Sequence, residues 1–271
     1  MHTKRNILLV VFVLLSFILR AEQYSRVVSL APSITKNIYY LEAQDCLVGC
    51  TSYCTVAKND NKTVVASPAT INIEKVVALK PDLVIASTIT NPEYIEMLRK
   101  FNIRVEVLTT PKSFDKICCQ FIDMAKLLGK TDLAFKKISL IKEEINCLKA
   151  KNSNRAVGKI FFQIGADPLF TVIPNSFMND YILFANASNI ANHLNKGTIS
   201  REVVISKNPD YIFIVTMGII GDEEKKVWEN FKELIAVKNN KIFIIDSDLA
   251  CTPTPQTFLE TMKIISNYIN Q

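Results

Sequence analysis

One internal repeat constrains the fold of this chain more than any other feature. The segments EKVVALKPDLVI, beginning at Glu74, and EVVISKNPDYIF, beginning at Glu202, each place Pro-Asp seven and eight residues after a glutamate. Asn72 and Ser200 stand where N-caps belong, and each glutamate then lies in a first helical turn, where the helix dipole favours an anion. Each proline ends its short helix, and the apolar run that follows predicts a buried parallel strand.

Strand and helix patterns alternate on both sides of this repeat. Alternation of that kind is typical of parallel sheets covered by helices. The sequence therefore predicts an α/β fold with two Rossmann-like lobes of similar plan. The predicted strands are 27–30, 83–86, 104–108, 159–164, 211–215 and 241–245, and the predicted helices are 34–41, 92–101, 175–184 and 223–234.

A helical stretch separates the two lobes. Apolar residues follow a helical stripe over 113–128, Gly129 can end that helix, and a second helix runs from Thr131 to about Lys151. We expect a stiff connection, because this stretch lacks a flexible Gly/Ser or Pro-rich linker. The predicted organisation is a signal peptide (1–21), an N-terminal lobe (22–128), a connecting helix (129–152) and a C-terminal lobe (153–271).

The first residues resemble an export signal. Lys4 and Arg5 precede an apolar run over 7–19, which is too short to span a bilayer, and Ala21 is a small residue suited to cleavage. We expect the folded part to be exported to a periplasm. An uncleaved membrane anchor is the alternative, and the absence of a cysteine near the end of the run argues against a lipid anchor.

Charge and motifs argue against several function classes. The formal net charge is +6, and half of it lies in the first 21 residues, which is too mild for a nucleic-acid partner. His2 and His193 are the only histidines, and no nucleotide, hydrolase or metalloprotease motif occurs. A non-enzymatic protein without a catalytic cofactor is expected. The competing hypothesis is an exported enzyme with Asp248 or Cys54 as its reactive group.

The seven cysteines leave several arrangements open in an oxidising compartment. Cys118 or Cys119 could pair with Cys147 and join two successive helices. Cys50 and Cys54 could close a small loop. Several of the seven could equally be small buried hydrophobic residues.

Ligands of parallel α/β sheets bind beyond the carboxyl ends of the strands. Two lobes would place a cleft between two such edges, lined by hydroxyls and a few large apolar groups. This mix suits a sizeable, partly apolar solute with polar edges. A packing role for Tyr53 and Phe170, and a turn-capping role for Asp248, are the alternatives. The candidate ligand contacts are Tyr53, Ser87, Phe170, Met217 and Asp248.

Five segments carry a family resemblance. RVVSLAPSITKNIYYL, LVGCTSYC, INIEKVVALKPDLVIA, FFQIGADPLFTV and ISREVVISKNPDYIFI resemble the helix-backbone periplasmic binding proteins, the solute receptors of ABC importers for cobalamin, haem and iron–siderophores. The resemblance extends from about residue 26 to the C-terminus. Among these receptors, the segments are most similar to the cobalamin-binding member.

The resemblance implies a function for particular residues. It implies a monomeric receptor that captures a metal chelate, a corrinoid above all, and delivers it to a permease dimer with its ATPase. Glu74 and Glu202 match surface acids that dock onto permease arginines. Tyr53, Phe170 and Asp248 match residues at the ligand cleft.

The sequence departs from the cobalamin receptor in its aromatic residues. That receptor has several cleft tryptophans, whereas Trp228 is the only tryptophan here, and it lies in a helix outside the predicted cleft. Haem or an iron–siderophore is therefore the alternative ligand. Metal ligation is not expected for a corrinoid, whereas Tyr53 or Cys54 could ligate the iron of a haem.

Overall fold

The computed structural model describes residues 24–67, 70–153, 157–216 and 221–271. The predicted signal peptide and Met217 lie outside these residues. The chain forms two compact units. The first comprises residues up to Leu108 together with Ile122–Ala134, and the second comprises Thr109–Phe121 and Phe135–Gln271. The lobe boundaries drawn from the sequence stay a prediction.

A five-stranded sheet forms the centre of the first unit. Its strands are all parallel, in the order β3-β2-β1-β4-β5. Residues on β1 and β4 are buried on both faces, as the apolar runs predicted. The strands are β1 Val27–Ser29, β2 Leu47–Thr51, β3 Thr63–Ala66, β4 Leu83–Ser87 and β5 Arg104–Leu108.

Short helices follow the strands of the first unit. Their apolar residues close a core with the sheet, including Val28, Val76, Val84 and Leu98. The helices are α1 Pro32–Tyr40, α2 Thr55–Lys58, α3 Ile73–Ala78 and α4 Pro92–Lys100.

The sheet of the second unit is mixed. Its order is β10-β9-β6-β7, with β8 beside β6. The expectation of purely parallel strands is wrong for β7, which runs antiparallel to β6 because only Asp167 and Pro168 join the two, and so short a loop permits only a hairpin. The strands are β6 Gly158–Ala166, β7 Leu169–Thr171, β8 Ala187–Asn189, β9 Tyr211–Val215 and β10 Ile242–Ile245.

Two long helices connect the units. The helix α5 (Phe114–Leu127) and the 23-residue helix α6 (Thr131–Ser153) begin and end within two residues of their predicted positions. The α6 helix is roughly 35 Å long. Its first residues, Thr131 to Ala134, belong to the first unit and the rest belongs to the second. The prediction of a long helix linking two α/β units is confirmed.

Aromatic side chains pack against one another in the core of the second unit. The ring of Tyr181 contacts those of Phe162 and Phe258, and Trp228 is fully buried against Phe161. The helices are α7 Asn179–Phe184, α8 Arg201–Lys207, α9 Gly221–Glu229, α10 Ile235–Lys238, α11 Ser247–Ala250 and α12 Pro255–Ile269.

The repeat has the same local structure in both units. The Asn72 side chain accepts a hydrogen bond from the backbone of Lys75 at 2.8 Å, and the Ser200 hydroxyl accepts one from Val203 at 3.4 Å. The predicted N-caps are therefore confirmed. In each unit the residue before the proline has a positive φ, 47° at Lys80 and 45° at Asn208, which turns the chain out of the helix.

The aspartate of each Pro-Asp pair has a role that the sequence analysis did not assign. The Asp82 carboxylate accepts hydrogen bonds from the backbone N–H groups of Ser25 at 2.8 Å and Arg26 at 3.0 Å, and from the Ser25 hydroxyl at 2.9 Å. Asp210 accepts one from the backbone of Lys159 at 2.7 Å. Each aspartate therefore fixes the start of the first strand of its own unit.

Replacing Asp82 with alanine is expected to destabilise the protein by about 1–2 kcal/mol, because three donors lose a charged acceptor at a partly solvated site. The pKa of Asp82 is lowered overall, since burial acts to raise it but the hydrogen bonds from Ser25 and Arg26 outweigh this opposing effect. The stabilisation is thus present above about pH 4, the pKa of an unfolded aspartate, and is lost as the pH falls through the lower folded-state pKa.

Urea unfolding of Asp82→Ala and wild type at pH 7 and pH 3 measures this difference. Asp123→Ala is the matched control, since it removes an exposed carboxylate that pairs with Lys126, and we expect a change below about 0.5 kcal/mol. Equal midpoints for Asp82→Ala and the control at pH 7 would contradict the anchoring role.

Candidate functional site

A groove opens at the carboxyl ends of the strands of the first unit. It encloses about 370 Å³, and its walls come from the segments that follow β1, β2, β3 and β4. The shared edge arises because all four strands are parallel, so their ends meet on one side of the sheet. The lining residues are Leu30, Ala31, Pro32, Thr51, Tyr53, Ala66, Ser67, Thr70, Ile71, Ser87, Ile89, Thr90, Asn91 and Tyr94.

Two large apolar side chains of this groove are exposed. Tyr53 is 62% and Ile89 is 85% exposed, so both offer apolar area on the wall of the groove. Tyr53 lies in a tight turn. The backbone N–H of Cys54 donates to the carbonyl oxygen of Thr51 at 3.1 Å, and the backbone N–H of Ser52 donates to the carbonyl oxygen of Ala66 at 2.8 Å. Tyr53 is thereby presented from the end of β2.

The polar atoms of the groove are uncharged. The fourteen lining residues contribute hydroxyls, one amide and backbone groups. Ser67 and Thr70 hydrogen-bond each other through their hydroxyls at 3.0 Å, and Asn91 caps α4 by accepting from Glu93 at 2.9 Å. Ser87 lies at the end of β4, so the groove brings together two predicted contacts, Tyr53 and Ser87.

Cys54 lies beneath the groove and not on its surface. Its side chain is 1% exposed. The Thr35 hydroxyl donates to the Cys54 Sγ at 2.9 Å, and the Thr51 hydroxyl lies 3.2 Å from it. A hydrogen bond with Cys50 lowers the pKa of Cys54 to about 6 against the opposing effect of burial. The main cause of the lowered pKa is therefore the neighbouring buried thiol of Cys50.

In the second unit, Phe170 is an exposed residue of β7, next to the β6–β7 turn. It is 39% exposed and bridges to Thr198. The backbone approaches its ring at Gly197, where an added Cβ would lie 3.0 Å from Phe170 Cδ1. The lack of a side chain at Gly197 therefore leaves room for the ring.

Asp248 is exposed in the first turn of α11. Asp246 is the N-cap of this helix, and its carboxylate accepts a hydrogen bond from the backbone N–H of Asp248 at 2.6 Å. Burial raises the pKa of the nearby Cys251 thiol to about 12, so this thiol is protonated at neutral pH.

Glu74 and Glu202 are exposed in the first turns of α3 and α8. The Ser200 hydroxyl hydrogen-bonds the Glu202 carboxylate and lowers its pKa, so Glu202 is ionised at neutral pH. The two side chains occupy equivalent positions of the repeat.

Arg201, beside Glu202, belongs to a buried polar chain that the sequence analysis missed. It pairs with Glu224, and its guanidinium lies 4.7 Å from the centre of the Trp228 ring. The Trp228 Nε1 donates to Gln163 on β6 at 2.7 Å. Glu224 stands in the run GDEEKK, which reads as a solvated helix end, so the sequence offered no signal for this pair.

Residues 27–249 match the family described as periplasmic binding protein. A vitamin B12-binding protein of Vibrio parahaemolyticus is 26% identical over 91% of this chain and 90% of its own length.

Two solved structures share the fold. The periplasmic vitamin B12 binding protein of Vibrio cholerae aligns with a TM-score of 0.76 and 24% identity, over 91% of this chain and 97% of that one. The periplasmic heme binding protein of Vibrio cholerae aligns with a TM-score of 0.81 and 20% identity, over 91% and 99%. At these identities the alignments establish the fold alone.

Proposed function

The chain belongs to the periplasmic binding protein family, and we propose that it captures a corrinoid and delivers it to the permease and ATPase of an ABC importer. The observation that carries the proposal is the uncharged groove with its exposed Tyr53 and Ile89. The similarity to vitamin B12-binding proteins supports the choice of ligand.

The chemistry of the groove favours a chelate with a neutral edge. Tyr53 and Ile89 offer apolar area to the face of a macrocycle, while hydroxyls suit the amide groups at the edge of a corrin. A haem carries two carboxylates, which bind best to cationic donors. The fourteen uncharged lining residues therefore fit a corrinoid better than a haem.

Tyr53 and Ser87 are the proposed contacts in the first unit. Phe170, Asp248 and Met217 are the proposed contacts in the second. We propose Glu74 and Glu202 as the permease-docking acids. The predicted signal at 1–21 is proposed to export the chain, and within the residues that the structure describes no helix is both long and apolar enough to cross a bilayer.

Calorimetric titration of the purified protein with cobalamin, cobinamide, haem and a ferric siderophore tests the ligand. We expect the two corrinoids to bind most tightly. Failure of all four to bind folded protein would contradict the proposal, and tighter binding of haem would favour the alternative receptor.

Replacing Tyr53 with alanine is expected to weaken corrinoid binding about 10–100-fold, equivalent to about 1.4–2.8 kcal/mol, because the variant loses an aromatic contact. Phe101→Ala is the matched control: it removes a 56% exposed aromatic residue that follows α4 and does not line the groove. Equal affinities for Tyr53→Ala and the control would exclude Tyr53 from the site.

Tyr53→Phe separates the two ligand classes. A corrinoid that packs on the ring should keep most of its affinity, whereas a haem ligated by the phenolate oxygen should lose that bond and change its absorbance spectrum.

A further inference from the structure

The turn that presents Tyr53 has a cysteine at each end. Cys50 is the fourth residue of β2, and Cys54 immediately precedes α2. Both are 1% exposed. The register of β2 with β3 shifts between Cys50 and Thr51, so the strand leaves its regular path where the turn begins. The two cysteines therefore bracket the residues that β2 contributes to the groove.

The two side chains contact each other. The thiols of Cys50 and Cys54 are hydrogen-bonded, and hydroxyls of Thr35 and Thr51 lie 2.9 and 3.2 Å from the Cys54 Sγ. The hydrogen bond lowers the pKa of Cys54 to about 6 and, with burial, raises the pKa of Cys50. A thiolate is the form of a cysteine that reacts with disulfides.

We propose that Cys50 and Cys54 form an intramolecular disulfide when this chain folds in an oxidising compartment. The inference rests on the proposed export of the chain, since such compartments are where disulfides persist. The bond closes a small ring around Thr51, Ser52 and Tyr53 and so restrains the part of the groove that carries the exposed tyrosine.

The chemistry is exchange with an external disulfide, such as oxidised glutathione or a dithiol oxidase. The Cys54 thiolate attacks one sulfur of that disulfide and releases the first thiolate. Cys50, after passing its proton to solvent, attacks the Cys54 sulfur of the mixed disulfide and releases the second. In total the protein loses two protons and two electrons, and the external disulfide takes them up to become two thiols.

Burial determines when this exchange occurs. At 1% exposure the two sulfurs are shielded in the folded protein, so the exchange takes place before the turn is packed, and the finished bond is then protected from reductants. Cys119 and Cys147 are exposed, and Cys46 donates its S–H to the backbone oxygen of Ala43 at 2.9 Å. Cys46 is thus bonded to another group, whereas Cys50 and Cys54 contact each other, which favours the pairing of Cys50 with Cys54.

Refolding the full chain in a mixture of reduced and oxidised glutathione, followed by labelling with iodoacetamide in denaturant, tests the bond. Trypsin releases Cys46, Cys50 and Cys54 on one peptide, residues 37–58. We expect this peptide to carry one label, on Cys46, and to be lighter by two hydrogens than its reduced form. Reduction before labelling should give three labels.

Two variants assign the bond. In Cys46→Ser the peptide should carry no label and keep the deficit of two hydrogens, whereas in Cys54→Ser both remaining cysteines should be labelled. Three labels on the wild-type peptide without reduction, or a bridge from Cys50 or Cys54 to any other cysteine, would overturn the proposal. Refolding in glutathione depends neither on export nor on a ligand, so it tests the disulfide alone. The proposed function is tested separately, by cell fractionation and by titration with ligands.

Discussion

A chain with both Glu74→Lys and Glu202→Lys is expected to bind its ligand with unchanged affinity and to support no uptake. Both side chains are exposed at equivalent positions of the repeat, one in each unit. If they dock onto arginines of the permease, reversal replaces attraction by repulsion at two points, and like charges across an interface cost several kcal/mol. Neither residue lines the groove, so titration of the purified variant should match wild type.

The control reverses the same amount of charge elsewhere. Asp132→Lys with Glu223→Lys changes one exposed first-turn acid in each unit. Uptake of labelled ligand by cells should be normal with this variant and absent with the Glu74/Glu202 variant. The association of wild type with the permease should also weaken with salt, because exposed charges are screened. Normal uptake by the Glu74/Glu202 variant would exclude the docking role.

Glu224→Ala is expected to destabilise the second unit by about 3 kcal/mol. Glu224 is 9% exposed at its side chain and pairs with Arg201, which is 26% exposed. One guanidinium nitrogen of Arg201, Nη1, is already buried without a hydrogen-bond partner among the described residues. Loss of the carboxylate would leave this charge uncompensated beside Trp228, and breaking a buried ion pair typically costs 3–5 kcal/mol.

The single tryptophan makes this prediction specific. Trp228 contacts Arg201 and is the only tryptophan in the chain, so its fluorescence reports unfolding of the second unit. The double variant Arg201→Met, Glu224→Leu should recover most of the loss, because both charges are removed together. Glu233→Ala, which breaks an exposed pair with Lys238, should change stability by less than about 0.5 kcal/mol. A midpoint for Glu224→Ala equal to that control would refute the argument.

Local signals predicted much of the fold. The N-caps, the prolines and the apolar runs act through neighbouring residues, so their consequences are visible in sequence. The β2 and β3 strands were missed because Leu47–Thr51 contains a glycine and Thr63–Ala66 is only four residues long. The antiparallel β7 was missed because its direction depends on the two-residue turn before it.

Less of the candidate site was predictable. The position of a groove beyond the carboxyl ends of the strands was predictable, since it depends only on strand direction. Strand direction does not give side-chain orientation: Tyr53 points to solvent while Cys54, one residue later, packs beneath. Long-range pairs such as Arg201 with Glu224 depend on tertiary packing, and no local pattern marks them.

The division of α5 and α6 between the two units affects how this protein can be made and dissected. The first unit includes Ile122–Ala134, which is synthesised after Thr109–Phe121 of the second. A nascent chain therefore cannot complete its first unit until Ala134 has emerged, and truncation at Leu108 would remove part of that unit. Separate production of the two halves would require joining non-contiguous stretches of sequence, because no single cleavage point separates them.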